Sequence, residues 1–141
     1  MQPTPFIKQL ENEPVGTKVN QTVLLDNIQF NADGLIPVIA QEHKTNEVLM
    51  LAWMNRQALE ETLSTKQVCY WSRSRQALWR KGESSGHRQT LVAACLDCDA
   101  DTLLIKVEQL GAACHTQRHD CFYISLDDQQ AFINKDPLAS D

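Results

Sequence analysis

Between Leu96 and Gln109 the chain reads LDCDADTLLIKVEQ, which sets Asp97, Asp99, Asp101 and the thiol of Cys98 directly ahead of an apolar alternation. Carboxylates this close repel one another and cannot enter a core unpaired. The stretch must therefore lie at the end of an element, in solvent or around a cation. The adjoining TLLIKVEQL alternates with the period of a half-buried strand. If the acidic stretch is itself extended, Asp97, Asp99 and Asp101 project to one side and Cys98 to the other. The carboxylates are hard donors suited to Mg²⁺ or Ca²⁺, and the thiolate is a soft donor suited to Zn²⁺. Two plainer readings compete, a solvated acidic turn between strands and an EF-hand loop. The EF-hand fails because Thr102 stands at the sixth place, where that loop needs Gly, and the flanks alternate like strands.

The strand signal recurs in VLLDNIQF and LIPVIAQE, separated by NADG, whose Asp33-Gly34 pair suits a tight turn. KTNE then leads into VLMLAWM as a second hairpin, and VCYWSRS and TLVAACLD are further strands. From Asn55, a capping residue, RQALEETL is rich in helix formers with Leu59 and Leu63 one turn apart, which predicts a short helix. RKGESSG reads as a loop. Residues 1–20 read as an N-terminal arm, 21–128 as one domain and 129–141 as a C-terminal tail. The fold class expected is α+β and β-rich, and 141 residues with 43% hydrophobic content suffice for a single core.

A formal charge of −5 opposes wholesale binding to nucleic acid or anionic membrane. No window is long and apolar enough for a membrane span, and the N-terminus lacks a basic region followed by an apolar run. The expectation is a cytoplasmic protein with no nucleic-acid or membrane partner. In that setting the glycosylation-like Asn20-Gln21-Thr22 is a chance match.

Five cysteines and no export signal argue against a disulfide framework. Cys69 and Cys95 have apolar and aromatic neighbours and read as core filler, as a lone cysteine in a β-rich fold usually is. Cys114 and Cys121 sit in GAACHTQRHDC, among His, Arg, Thr and Asp, and with Cys98 they look like ligands. Three thiolates leave a tetrahedral Zn²⁺ one position short, the mark of a catalytic site that activates water for hydrolysis. His115 has three roles open to it: a fourth ligand, a packed core histidine, or a general acid/base. The last ranks first, because the neighbour of a ligand on an extended segment points away from the metal yet stays near the substrate.

YWSRSRQALWRKGESSGHR gathers Arg73, Arg75, Arg80, Lys81 and Arg88 beside Tyr70, Trp71 and Trp79 in an otherwise acidic chain. Arginine forks, Ser hydroxyls and Gly-loop amides suit phosphate, and an aromatic face such as that of Trp71 suits a base. An exposed strand of alternating charge over core tryptophans, or a single-stranded nucleic-acid platform, would use the same residues; the net charge disfavours the latter. On residues alone the reading is a two-metal hydrolase of a phosphorylated, nucleotide-like small molecule.

Taken in order, VLMLAWMN, YWSRSRQALWRKGESSGH, LDCDAD, LLIKVEQ and ACHT…CFY closely resemble the phosphoribosyl-AMP cyclohydrolases of histidine biosynthesis, from about Gly34 to Tyr123. The resemblance implies hydrolytic opening of the adenine ring of 1-(5-phosphoribosyl)-AMP at N1–C6 by a zinc-activated hydroxide, in the manner of zinc deaminases. It implies Zn²⁺ on Cys98, Cys114 and Cys121, with ligands shared between two subunits, and Mg²⁺ on Asp97, Asp99 and Asp101. It further implies a mixed, twisted sheet with short helices in an intertwined homodimer, His115 as proton shuttle, and substrate contacts from Trp71, Arg73, Arg75, Arg80, Lys81, His87 and Arg118. Two departures stand out. Ala100 occupies a place where Gly is common, and TQRHDC replaces a run that more often reads Gly-Arg-Arg-Ser before the last cysteine. With fewer than twenty residues after Tyr123, the cyclohydrolase alone is expected, without a fused pyrophosphohydrolase. The rival from another class is a zinc-stabilised nucleotide- or RNA-binding module without activity. A purine deaminase is less apt, because H-x-E with P-C-x-x-C is absent.

Overall fold

The computed structural model describes residues 2–139; Met1, Ser140 and Asp141, at the ends of the expected arm and tail, lie outside the described residues. Three helices, α1 (Pro5–Leu10), α2 (Gln21–Asp26) and α3 (Arg56–Thr65), accompany eight strands. These are β1 (Ile36–Glu42), β2 (Val48–Met54), β3 (Cys69–Ser72), β4 (Ala77–Arg80), β5 (Gln89–Leu96), β6 (Leu103–Gln109), β7 (Ile124–Leu126) and β8 (Ala131–Ile133). The fold is α+β and strand-rich, as the sequence predicts.

The main sheet has the order β2-β1-β6-β5 and is mixed. β1 pairs antiparallel with β2 and parallel with β6, which pairs antiparallel with β5. Alternation sorts its two faces. Ile36, Val38 and Ala40 of β1 and Leu103, Ile105 and Val107 of β6 are buried, while their alternates Ile39, Gln41, Leu104 and Lys106 are half-buried. The buried face packs against Ala58 and Leu59 of α3, Val68, and Cys69 and Tyr70 of β3. Each buried Val, Leu or Ile among them contributes about 1.5–3 kcal/mol by leaving water.

α3 starts where Asn55 accepts a hydrogen bond from the Ala58 amide at 2.8 Å, and its fully buried Thr62 docks it on β3. The Thr62 hydroxyl accepts from the Cys69 amide at 2.9 Å and donates to the Cys69 carbonyl at 3.2 Å.

Four expectations need correction. VLLDNIQF is not a strand, and so forms no hairpin with LIPVIAQE. Asn20 caps α2 by accepting from the Val23 amide, and Leu25 and Ile28 are buried three residues apart, the helical period. The Asn31–Gly34 turn forms, closed by Gly34 N–H to the Asn31 carbonyl at 2.9 Å, but joins a helix to β1. The acidic stretch is not extended either: the Ala100 amide donates to the Asp97 carbonyl at 3.0 Å and Ala100 takes φ +57°. Residues 97–102 are thus the turn between β5 and β6, so period-two alternation does not divide Asp97, Asp99 and Asp101 from Cys98. The left-handed backbone at Ala100 is the conformation that makes Gly a natural occupant. Finally, Cys95 is exposed, not core filler, because it faces away from the core on edge strand β5; Cys69 is buried as expected. The expected arm also carries α1, whose Ile7 is buried.

Thr62→Val keeps the shape of the side chain but leaves both Cys69 backbone groups without their partner. The expected loss is about 1–3 kcal/mol of unfolding free energy, measurable by chemical denaturation.

Candidate active site

Beyond the C-terminal ends of β1 and β6, the β4–β5 loop and the segment after β6 enclose a cleft of about 450 Å³. Arg75, Arg80, Lys81, His87, Cys114, His115 and Cys121 all line it, together with Ser84 and Ser85. Residues more than forty apart in sequence thus meet in one place.

The thiol loop is fixed at its far end by the Cys121 amide, which donates to the Leu49 carbonyl of β2 at 2.8 Å. Gln117 turns the loop at φ +68°, its amide donating to the Cys114 carbonyl at 3.0 Å. Cys114 is buried, and its sulfur accepts from the Thr116 hydroxyl at 3.0 Å. Burial acts to raise the Cys114 thiol, but hydrogen bonds from Thr116 and Cys121 and the nearby Lys81 charge outweigh it and hold the thiol below its ordinary value. Desolvation, reinforced by the facing Cys114, pushes Cys121 up to about 12. The two shifts together oppose ionisation of both sulfurs at once. Lys81 donates to the Ala113 carbonyl at 2.7 Å, and its half-buried ammonium is lowered by desolvation against the opposing pull of Cys121 and Cys114.

Behind the cleft runs a buried uncharged network. Tyr70 donates to Gln89 Oε1 at 2.6 Å, and Gln89 Nε2 donates to Gln109 Oε1 at 2.9 Å and to Met50 Sδ at 3.3 Å. Gln109 in turn donates to the Leu110 carbonyl at 3.0 Å, on the way to Gly111. The His87 ring lies flat against Gly111: a Cβ there would stand 2.5 Å from His87 Cδ2, and Gly111 has φ +73°. Sequence reasoning missed these supports. A buried Gln carries no signal in an apolar strand, but Gly111 directly after a strand was a readable mark of a left-handed residue.

The other expected site residues lie elsewhere. Trp71 and Arg73 line a separate cleft of about 280 Å³ with Asp33, Asn55 and Gln76, and the Arg73 guanidinium stacks over Trp53 at 4.8 Å. Arg118 does not line the thiol cleft; it stacks over Tyr123 at 4.0 Å and donates to the Lys135 carbonyl at 2.8 Å. Arg80 reaches the cleft while its Nε and Nη2 bind Glu61 at 2.9 and 2.8 Å. Asp97, Cys98, Asp99 and Asp101 occupy the turn at the opposite end of β5, roughly 25 Å away at the rise of a strand. There Asp97 Oδ1 accepts from the amides of Asp101 and Thr102 at 3.0 and 3.3 Å. Burial opposes ionisation of both acids, yet those amides hold Asp97 low, while its charge and hydrogen bond add to desolvation in raising Asp101. Among the described residues, no three His, Cys, Asp or Glu side chains converge into a group able to hold a metal ion. Nor is any helix among them long and apolar enough to cross a membrane.

A thiol pair and two imidazoles under a basic, Ser-rich rim define an enzyme site for a small anionic ligand. The chain matches the sequence profile of the family described as Phosphoribosyl-AMP cyclohydrolase over residues 50–123. A protein of Pseudomonas fluorescens named Phosphoribosyl-AMP cyclohydrolase 2 is 57% identical over 129 residues, covering 92% of this chain and 88% of its own. Phosphoribosyl-AMP cyclohydrolases of Chromohalobacter salexigens and Halorhodospira halophila are 58% and 56% identical, covering 96% and 94% of this chain and 92% and 93% of theirs. The chain belongs to the phosphoribosyl-AMP cyclohydrolase family and is an enzyme.

Gly111→Ala forces a side chain into left-handed backbone and into the His87 ring. It is expected to cost about 1–2 kcal/mol in unfolding free energy and to shift the His87 imidazole resonances, read by NMR of the substituted and unsubstituted chains.

Proposed function

We propose that this chain opens the adenine ring of 1-(5-phosphoribosyl)-AMP by hydrolysis of the N1–C6 bond, a step of histidine biosynthesis, as a cytoplasmic homodimer using Zn²⁺ and Mg²⁺. The observation that carries the reading is the convergence of Cys114, Cys121 and His115 with Lys81 and His87 in one cleft of a chain whose relatives are named for that activity.

The donor chemistry fits the metals. Two facing sulfurs, with the Cys114 thiol depressed, are soft donors that would supply two of the ligands a zinc ion needs. Cys98, exposed at the far turn, is free to complete the set on a second copy. The open face of the sheet supports such a copy: Cys95, Leu104, Ile39 and Leu51 stand in register across all four strands, and Leu51 is 50% exposed. Asp97, Asp99 and Asp101 are hard oxygen donors for Mg²⁺. Zinc would supply Lewis-acid activation of water at neutral pH, and magnesium positive charge towards the phosphates.

The chain's own groups do the rest. Arg75, Arg80 and Lys81 neutralise phosphate at the cleft rim, whereas Trp71 and Arg73 in the separate cleft and Arg118 over Tyr123 stand outside it. As the C6–O bond forms and N1–C6 breaks, a proton must end on N1. His115, exposed to the cleft and next to Cys114, holds and delivers it. His87, set by Gly111, orients the base.

In protein loaded with zinc and magnesium, phosphoribosyl-AMP is expected to give the absorbance change of ring opening, a chelator to abolish it and added zinc to restore it. No change in fully metallated protein would refute the assignment. His115→Ala is expected to lower kcat by about 10²–10⁴-fold with KM little changed.

Mixing tests the shared ligands. Cys98→Ser and Cys121→Ser are each expected to be inactive, while co-refolding them in equal amounts restores about a quarter of full activity, since half the dimers carry one intact site. Absence of recovery despite heterodimer formation would show that the ligands come from one chain.

A further inference from the structure

The family match ends at Tyr123, but the thiol loop is not held by matched residues alone. The two backbone hydrogen bonds that cross the loop are long: the Ala113 amide to the His119 carbonyl and the Cys114 amide to the Arg118 carbonyl are each 3.2 Å. Shorter ones come from the segment after β8. The Leu138 amide donates to the Gln117 carbonyl at 2.7 Å, and Arg118 Nε donates to the Lys135 carbonyl at 2.8 Å. The Asn134 amide donates to the Tyr123 carbonyl at 2.9 Å, and its side chain to the Phe122 carbonyl at 3.1 Å and to Ser125 Oγ at 2.8 Å.

At the centre stands Asp120, directly before Cys121 and only 6% exposed. Both carboxylate oxygens are used: Oδ1 accepts from the Phe122 amide and Oδ2 from Lys135 Nζ, each at 2.8 Å. A buried carboxylate stripped of its cation must either stay unpaired at high cost or turn towards water. Turning outward would carry the adjoining Cys121 backbone with it.

We propose that residues 134–138 form a strap that sets the thiol loop, and that Lys135 is a positioning residue for Cys121, acting through Asp120. The inference rests on the reading of Cys114 and Cys121 as zinc ligands. Its effect is on geometry, since Lys135 bonds Asp120 and not the cleft.

The test compares Lys135→Met and Lys135→Arg in the full-length, as-purified protein by hydrogen exchange across residues 113–121 and by the rate of zinc release to a chelator. Lys135→Met is expected to raise both by about tenfold while β1 and β6 exchange at the unsubstituted rate, and Lys135→Arg to restore both to near that of the unsubstituted chain. Loop exchange unchanged in Lys135→Met, or raised equally in β1 and β6, would overturn the strap. If the protein binds no zinc but loop exchange rises selectively, the strap stands and the metal reading falls.

Discussion

The parallel pairing of β1 with β6 decides where the rest of the molecule lies. Because Val38 to Glu42 run beside Leu103 to Val107 in the same direction, both strands deliver their C-terminal ends to one edge of the sheet. Glu42 Oε2 receives the Gln109 amide there at 3.1 Å, and the His43 amide reaches the Val107 carbonyl at 3.0 Å. The antiparallel neighbours β2 and β5 begin at the same edge, so the Leu49 carbonyl, His87 and the thiol loop are brought together by topology. The β5–β6 turn is left at the opposite edge by the same rule. Separation of the acidic turn from the thiol pair within one chain is therefore a property of strand order.

Much of the scaffold was legible. Asn55 with Leu59 and Leu63 marks α3, the alternation in TLLIKVEQL marks β6, and the hairpin of β1 and β2 follows from its flanking turn residues. Residues 23–30 were misread because Val23, Ile28 and Phe30 favour strands intrinsically, whereas the Asn20 cap and the burial of Leu25 prevail in the fold. The acidic stretch was misread as extended because alanine itself has no preference for the left-handed backbone that Ala100 adopts, and the Gly common at that place in the resembling family was the one sign of it.

The site was legible in its parts and illegible in its assembly. Cys114, Cys121, His115 and Lys81 were singled out by residue type and His87 by the resemblance, and they share a cleft, while Trp71 and Arg73 line another and Arg118 stacks over Tyr123. Side-chain chemistry is written locally in a sequence; which strand edges it reaches depends on pairings between segments tens of residues apart. Arg118 shows the difference: the resemblance implies a substrate contact, but its guanidinium stacks over Tyr123 and its Nε donates to the Lys135 carbonyl.

Tyr70, Gln89 and Gln109 form an uncharged network that meets the thiol cleft through Met50, and burial raises the Tyr70 phenol far from neutrality. A carboxylate or ammonium in their place would impose a standing field on the sulfurs and gain or lose protons alongside them. Neutral amides instead give the chamber a backing whose electrostatic character is indifferent to acidity, leaving the reacting groups to set the potential they work in.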